Sequence, residues 1–128
     1  MSDLCDKPAV ELRRLIGRKD VSPVELLDSC IARIEATDSA LNAVVTRSFD
    51  RAREEAINAE KAVLNGEELG LLHGLPVGIK DLEATDGIRT TLGSQLYADH
   101  VPNKDQGSVA NIRAEGGIII GKTNTPEF

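Results

Sequence analysis

Residues 116–123 read Gly-Gly-Ile-Ile-Ile-Gly-Lys-Thr, and this stretch decides which fold class the chain can adopt. The letters satisfy the phosphate-binding loop pattern G-x-x-x-x-G-K-[ST], which requires a strand before the loop and a helix after it. Here three consecutive β-branched isoleucines fill the variable positions, and such residues favour a strand. Pro126 follows closely and favours an extended backbone at Thr125 instead of a helix. The stretch therefore predicts a buried strand over residues 117–122, and nucleotide binding is the weaker alternative.

Helix and strand signals alternate along the rest of the chain. The clearest helix start is Ser22-Pro23-Val24-Glu25, which offers an N-cap oxygen, a proline in the first turn and a capping-box carboxylate. A long loop, residues 81–102, carries many Thr, Gly, Asp and Ser residues, and such loops often hold functional sites. The order of elements predicts an α/β fold. We expect helices over residues 8–17, from 22 onward, 50–64 and 106–115, and strands over residues 41–46, 77–80 and 117–122.

Composition excludes several classes of function. The chain has 128 residues and a net charge of −6, which fit a single domain that does not bind nucleic acid or an anionic membrane. Aromatic residues make up only 2%, too few for a base-stacking surface. No apolar run approaches the ~20 residues of a membrane span, and the cysteines and histidines show no metal-ligand spacing. Residues 1–7 are polar and acidic, so we expect a cytoplasmic protein without a secretory signal.

Lys80 ends the predicted strand at residues 77–80 and has two interpretations. In the first, it is an edge-strand lysine that discourages aggregation between strands. In the second, it is a buried ammonium whose pKa falls through desolvation until it accepts a proton near neutral pH. Spacing alone favours the first interpretation.

Three blocks carry a family resemblance that changes this balance. They are LHGLPVGIKD at residues 72–81, GIRTTLGS at 87–94 and GGIIIGKTNTPEF at 116–128. In order and spacing they resemble the amidase signature family, and the likeness covers nearly the whole chain. The resemblance implies a mixed sheet covered by helices, of which residues 1–128 would be the amino-terminal part of a single amidase domain.

The resemblance also implies a reaction. Members of the family hydrolyse carboxylic amides through an acyl-enzyme with a Ser, cis-Ser, Lys triad, and Lys80 matches the triad lysine. Both triad serines would lie beyond Phe128, so we expect the chain to stop before them and to be inactive by itself. The implied partner is a small-molecule amide, and no cofactor or metal is implied.

Six further residues are expected to be structural or to lie near the site. Strand alternation points Asp81 away from Lys80, which favours structural hydrogen bonding. Ser94 belongs to the second block, and its simplest role is a turn serine that bonds nearby backbone. The full set is Asp81, Thr91, Gly93, Ser94, Lys122 and Asn124.

Two alternatives to a free-standing amidase stay open. One is the amidase component of a tRNA-dependent amidotransferase, and the other is a noncatalytic α/β module that binds a partner. A homo-oligomer is compatible with the sequence in each case.

Overall fold

The computed structural model describes residues 3–128 and confirms the predicted order of elements. The expectation about residues 1–7 falls in part on Met1 and Ser2, which lie outside the described residues. Short 3-10 helices cover Leu4–Asp6 and Gln95–Tyr97. The main elements are helices α1 (Ala9–Gly17), α2 (Pro23–Leu41), α3 (Phe49–Leu64) and α4 (Gly107–Ala114), and strands β1 (Val44–Arg47), β2 (Pro76–Lys80) and β3 (Ile118–Thr123).

Helix α2 begins as its sequence predicts. The Ser22 hydroxyl oxygen accepts a hydrogen bond from the Glu25 amide at 3.0 Å, and the Glu25 carboxylate accepts one from the Ser22 amide at 3.1 Å. These two bonds satisfy backbone donors that the first helical turn would otherwise leave unpaired.

The other end of α2 corrects the predicted start of the first strand. Leu41 is the last helical residue, and Asn42 ends the helix in the left-handed region at φ 50°. The Asp38 carboxylate then accepts hydrogen bonds from the amides of Ala43 and Val44, at 2.7 and 3.1 Å. This turn occupies the residues between helix and strand, so β1 begins at Val44.

The three strands form one mixed sheet in the order β1-β3-β2. Strand β3 lies in the centre, antiparallel to β1 and parallel to β2. The expected mixed sheet is therefore confirmed. In the parallel pair, Lys80 lies opposite Thr123 and Ile79 lies opposite Lys122, so both strands end at the same edge of the sheet.

Helices cover the sheet on both faces. On one face α2 and α3 pack against Ile118, and small alanines let the two helices approach closely. On the other face Val109 of α4 packs against Ile79 and Ile119. The α2–α3 cluster consists of Leu27, Ile31, Ala52, Ala56, Ala59 and Ile118.

Within residues 3–128, none of the helices combines the length and the apolar character that crossing a bilayer requires.

Candidate active site

The candidate site lies at the edge of the sheet where β2 and β3 end. Lys80 is the last residue of β2, and a tight turn follows it, closed by a 2.9 Å hydrogen bond from the Glu83 amide to the Lys80 carbonyl. The Asp81 amide donates to the Thr123 carbonyl at 2.9 Å, which attaches this turn to β3. The backbone that carries Lys80 is therefore held by two elements.

The Lys80 side chain is exposed, and among residues 3–128 no carboxylate oxygen lies within 4.0 Å of its ammonium. Strand β2 is an edge strand of the described sheet, which is the position required by the first interpretation of Lys80. The buried ammonium expected in the second interpretation does not occur at Lys80, because nothing in these residues covers its side chain. A buried lysine does occur nearby, at Lys122.

Lys122 projects from β3 into the interior and is 0% exposed. Its Nζ donates hydrogen bonds of 2.7 Å to the Glu83 carbonyl and 2.7 Å to the Thr90 hydroxyl, and lies 3.9 Å from Asp81 Oδ1. Burial penalises the charged form and lowers the pKa of Lys122 to about 8, although the charges of Asp81 and Glu83 act in the opposite direction.

Asp81 is buried and forms hydrogen bonds with the long loop. Its carboxylate accepts hydrogen bonds from the Thr91 amide at 3.1 Å and from the Thr91 hydroxyl. Its carbonyl accepts a third from the Leu92 amide at 2.9 Å. Asp81 thus joins the end of β2 to the second sequence block.

Gly93 and Ser94 shape the loop itself. Gly93 adopts φ +67°, and a Cβ there would lie 2.6 Å from the Pro126 carbonyl oxygen, so glycine is required. The Ser94 hydroxyl oxygen accepts a hydrogen bond from the Leu96 amide at 3.3 Å, as a turn serine does. Asn124 ties the third block to the end of α2, because its side-chain amide donates to the Asn42 carbonyl at 3.0 Å.

The structure brings most of the predicted residues into one place. A cleft of about 250 Å³ is lined by five of them, together with others that include Arg89. Lys80 and Lys122 do not line it, and they lie at the adjoining strand ends. The five are Asp81, Thr91, Gly93, Ser94 and Asn124.

Sequence reasoning missed Thr90 and Arg89. Thr90 is buried and accepts a hydrogen bond from Lys122, whereas Arg89 donates to the Ala98 carbonyl and, at 3.3 Å, to the Thr46 hydroxyl. One signal was available for the first of them. A lysine beside three isoleucines in a buried strand must find polar partners, and Thr90 lies in a polar loop that could supply one.

The nucleotide-binding interpretation has no support in the geometry. Residues Ile118–Thr123 form a strand, and residues 124–128, where a phosphate-binding loop would open a helix, have no regular secondary structure. The predicted strand over residues 117–122 is confirmed within one residue.

Comparisons with known proteins find relatives over most of the chain. A family model described as Amidase matches residues 25–128. A glutamyl-tRNA(Gln) amidotransferase subunit of Geobacter sulfurreducens is 42% identical over 92% of this chain and 24% of its own length. An acylamidase of Rhodococcus erythropolis is 36% identical over 93% of this chain and 25% of its own length.

Solved structures show the same relationship. A bacterial aryl acylamidase of the amidase signature family matches 94% of this chain and 25% of its own, with a TM-score of 0.87 and 35% identity. The chain spans about a quarter of the length of the relatives it matches. Because the family model covers residues 25–128, and sequence and fold agree with it, this chain belongs to the amidase signature family.

Proposed function

We propose that these 128 residues belong to an amidase in which Lys80 is the proton acceptor of a Ser, cis-Ser, Lys triad. Both serines would be supplied by chain beyond Phe128, as the family resemblance implies. The observation that carries the proposal is the position of Lys80. It occurs in the Gly-Ile-Lys-Asp block, at the end of a strand, with no carboxylate near its exposed ammonium among residues 3–128.

The proposed reaction uses Lys80 as a neutral amine. Its Nζ accepts a proton from the bridging serine, which takes one from the nucleophilic serine as that oxygen attacks the amide carbon. The proton returns to the leaving nitrogen as the C–N bond breaks, and water then hydrolyses the acyl ester. The substrate class is a small carboxylic amide.

An exposed lysine fits this role only if other parts of the protein cover it. Loss of water around the ammonium would favour the neutral form that accepts protons. The cleft next to the strand end is polar, and in this proposal it shapes the site without donating a nucleophile. Asp81, Thr91, Gly93, Ser94, Lys122 and Asn124 therefore act as supporting residues.

The acyl-enzyme gives a direct test. A protein expressed from the full reading frame that contains these residues is mixed with an acyl anilide, and the reaction is quenched in acid. The mass of the intact protein is then measured by mass spectrometry. We expect the protein mass to increase by that of the acyl group, on a serine. A covalent adduct on a residue other than serine would contradict the serine mechanism.

The 128 residues alone provide a second test. Without a nucleophile and oxyanion donors, a proton acceptor cannot carry out acyl transfer, so we expect no ammonia release from an amide. Steady ammonia release by this chain that disappears in Lys80→Ala would show that the nucleophile lies within residues 1–128.

The amidase component of an amidotransferase is the second candidate, and it is favoured by relatives such as the 42% identical protein of Geobacter sulfurreducens. The two candidates differ in whether activity requires other macromolecules. A free-standing amidase hydrolyses simple amides without other proteins. An amidotransferase component would pass released ammonia onward only in the presence of its partner proteins and charged tRNA. Measuring both activities of the full protein decides between them.

The noncatalytic module remains a prediction that a simpler measurement addresses. A self-sufficient binding module should elute as a monodisperse monomer or dimer in size-exclusion chromatography. Part of a larger amidase domain should aggregate, because its edge strands expose backbone N–H and C=O groups that the rest of the domain would pair. The cytoplasmic location and the homo-oligomer also remain predictions.

A further inference from the structure

Lys122 presents a problem that the proposed function leaves unexplained. It is the lysine of the phosphate-binding loop pattern, yet it lies in strand β3 and not in such a loop. It is completely buried beside isoleucines, where an apolar side chain would pack without the cost of dehydrating a charge. An ammonium at this position therefore needs a reason.

The contacts of Lys122 converge on the backbone that follows Lys80. The Lys122 Nζ donates to the Glu83 carbonyl at 2.7 Å, which holds the far side of the turn that begins at Lys80. Its second hydrogen bond reaches the Thr90 hydroxyl at 2.7 Å. That hydroxyl in turn donates to the Ile88 carbonyl at 3.0 Å, so its lone pairs remain free for the ammonium.

A second layer of bonds connects the same turn to the loop. Asp81 lies 3.9 Å from Lys122 Nζ and accepts the amide and hydroxyl of Thr91. Its backbone bonds Thr123 on one side and Leu92 on the other. The buried ammonium lies at the centre of this network, whereas Lys80 lies at its exposed rim.

Strand geometry places the two lysines on opposite faces. Lys122 lies opposite Ile79 in the register and Lys80 lies opposite Thr123, and neighbouring side chains on a strand alternate between faces. Lys122 therefore cannot act as a second proton acceptor beside Lys80. It reaches Lys80 only through the backbone of residues 80–83.

We propose that Lys122 is a positioning residue for Lys80, whose ammonium fixes the turn at residues 80–83 and the loop at residues 90–92 so that Lys80 Nζ is presented at one point. This inference rests on the proposed function. A lysine suits the task because a single Nζ reaches a carbonyl and a hydroxyl that lie on separate segments.

The test measures kcat and KM for amide hydrolysis in the protein from the full reading frame. Lys122→Met keeps the length of the side chain and removes its donors. We expect kcat to fall about 10²-fold, with KM within about twofold, because misplacing a reacting group by ~1 Å costs rate without weakening substrate binding. The control is Lys104→Met, which removes a lysine from an exposed loop and should leave both constants unchanged.

Thr90→Val provides a milder variant that removes one of the two hydrogen bonds. We expect a decrease of about fivefold in kcat, the equivalent of one ordinary hydrogen bond. If Lys122→Met fails to fold, Thr90→Val decides alone. Folded Thr90→Val protein with the wild-type kcat would overturn the inference, as would folded Lys122→Met protein with the wild-type kcat.

Hydrogen exchange supplies a readout that does not depend on turnover. In Lys122→Met, the amides of Glu83 and Leu92 should exchange faster, while those of α2 should keep their protection. Unchanged exchange at both loop amides would contradict the positioning role. Failure of the proposed function is recognised separately, because Lys80→Ala would then retain full activity.

Discussion

The buried ammonium of Lys122 should give the chain an unusual dependence of stability on pH. The pKa of Lys122 is lowered from an ordinary 10.5 to about 8, and burial is the main cause. Between pH 8 and 10.5 the unfolded chain keeps the proton on Lys122, and the folded chain has released it. Since the unfolded state binds more protons, the free energy of unfolding rises with pH across this window.

The size of the effect follows from the difference in pKa. From 10.5 to about 8 is two and a half pH units. At ~1.4 kcal/mol for each unit, the contribution of Lys122 amounts to ~3 kcal/mol. The destabilisation is fully present below pH 8 and is relieved as the pH approaches 10.5. Asp81 and Glu83, the charged groups that act on Lys122, favour its protonated form and thereby reduce the effect.

Cys30 acts in the opposite direction and must be separated from Lys122. Burial raises the pKa of the Cys30 thiol from 9.0 to about 11, with a smaller contribution from Cys5. Between pH 9 and 11 the folded chain keeps a proton that the unfolded chain loses, so this group lowers stability as the pH rises. Wild-type protein alone would show the two effects partly cancelled.

The assay is therefore a comparison of urea unfolding between the wild type and Lys122→Met, both expressed from the full reading frame, from pH 7.5 to 10.5. Both proteins contain Cys30, so its contribution cancels in the difference. We expect the unfolding free energy of the wild type, relative to that of the variant, to increase by ~3 kcal/mol from the lowest pH to the highest. Lys104→Met controls for the loss of one positive charge. A difference that stays constant with pH would refute a buried, easily deprotonated Lys122.

Two further predictions concern packing. In the protein from the full reading frame, Leu27→Ala removes a fully buried side chain between α2 and the sheet and should lower the free energy of unfolding by ~3–5 kcal/mol in urea titrations, whereas Leu64→Ala, at a position 63% exposed, should cost far less. Equal losses for both leucines would contradict the described core. Gly121→Ala would place a Cβ 2.3 Å from the Thr46 carbonyl oxygen, so β1 should separate from β3 and its amides should lose protection from hydrogen exchange. Gly107→Ala, where nothing lies within 4 Å, is the control, and equal protection in both variants would show that β1 does not pack there.

Local signals in the sequence predicted much of the fold. The capping box at Ser22 and the three isoleucines of β3 each determine their own backbone, and both elements form where expected. The start of β1 was misplaced because the turn before it depends on Asp38, a side chain from the preceding helix. A boundary of this kind depends on contacts that strand propensity does not contain.

The candidate site was less accessible to sequence reasoning. The family blocks located Lys80, Asp81 and Ser94, and the hydrogen bonds expected of the last two are present. Which lysine is buried could not be deduced, because the partners of Lys122 lie 32 and 39 residues away in the sequence. Such contacts arise only when the long loop folds back onto β3.

The most direct test of the account is the effect of Lys80→Ala on amide hydrolysis by the protein from the full reading frame. If Lys80 is the proton acceptor, kcat should fall by about 10²–10⁴-fold, the usual contribution of general acid–base catalysis. The exposed control Lys104→Met should retain the wild-type rate, and the melting temperature of Lys80→Ala shows whether that variant is folded. Folded Lys80→Ala protein that hydrolyses amides at the wild-type rate would contradict the account.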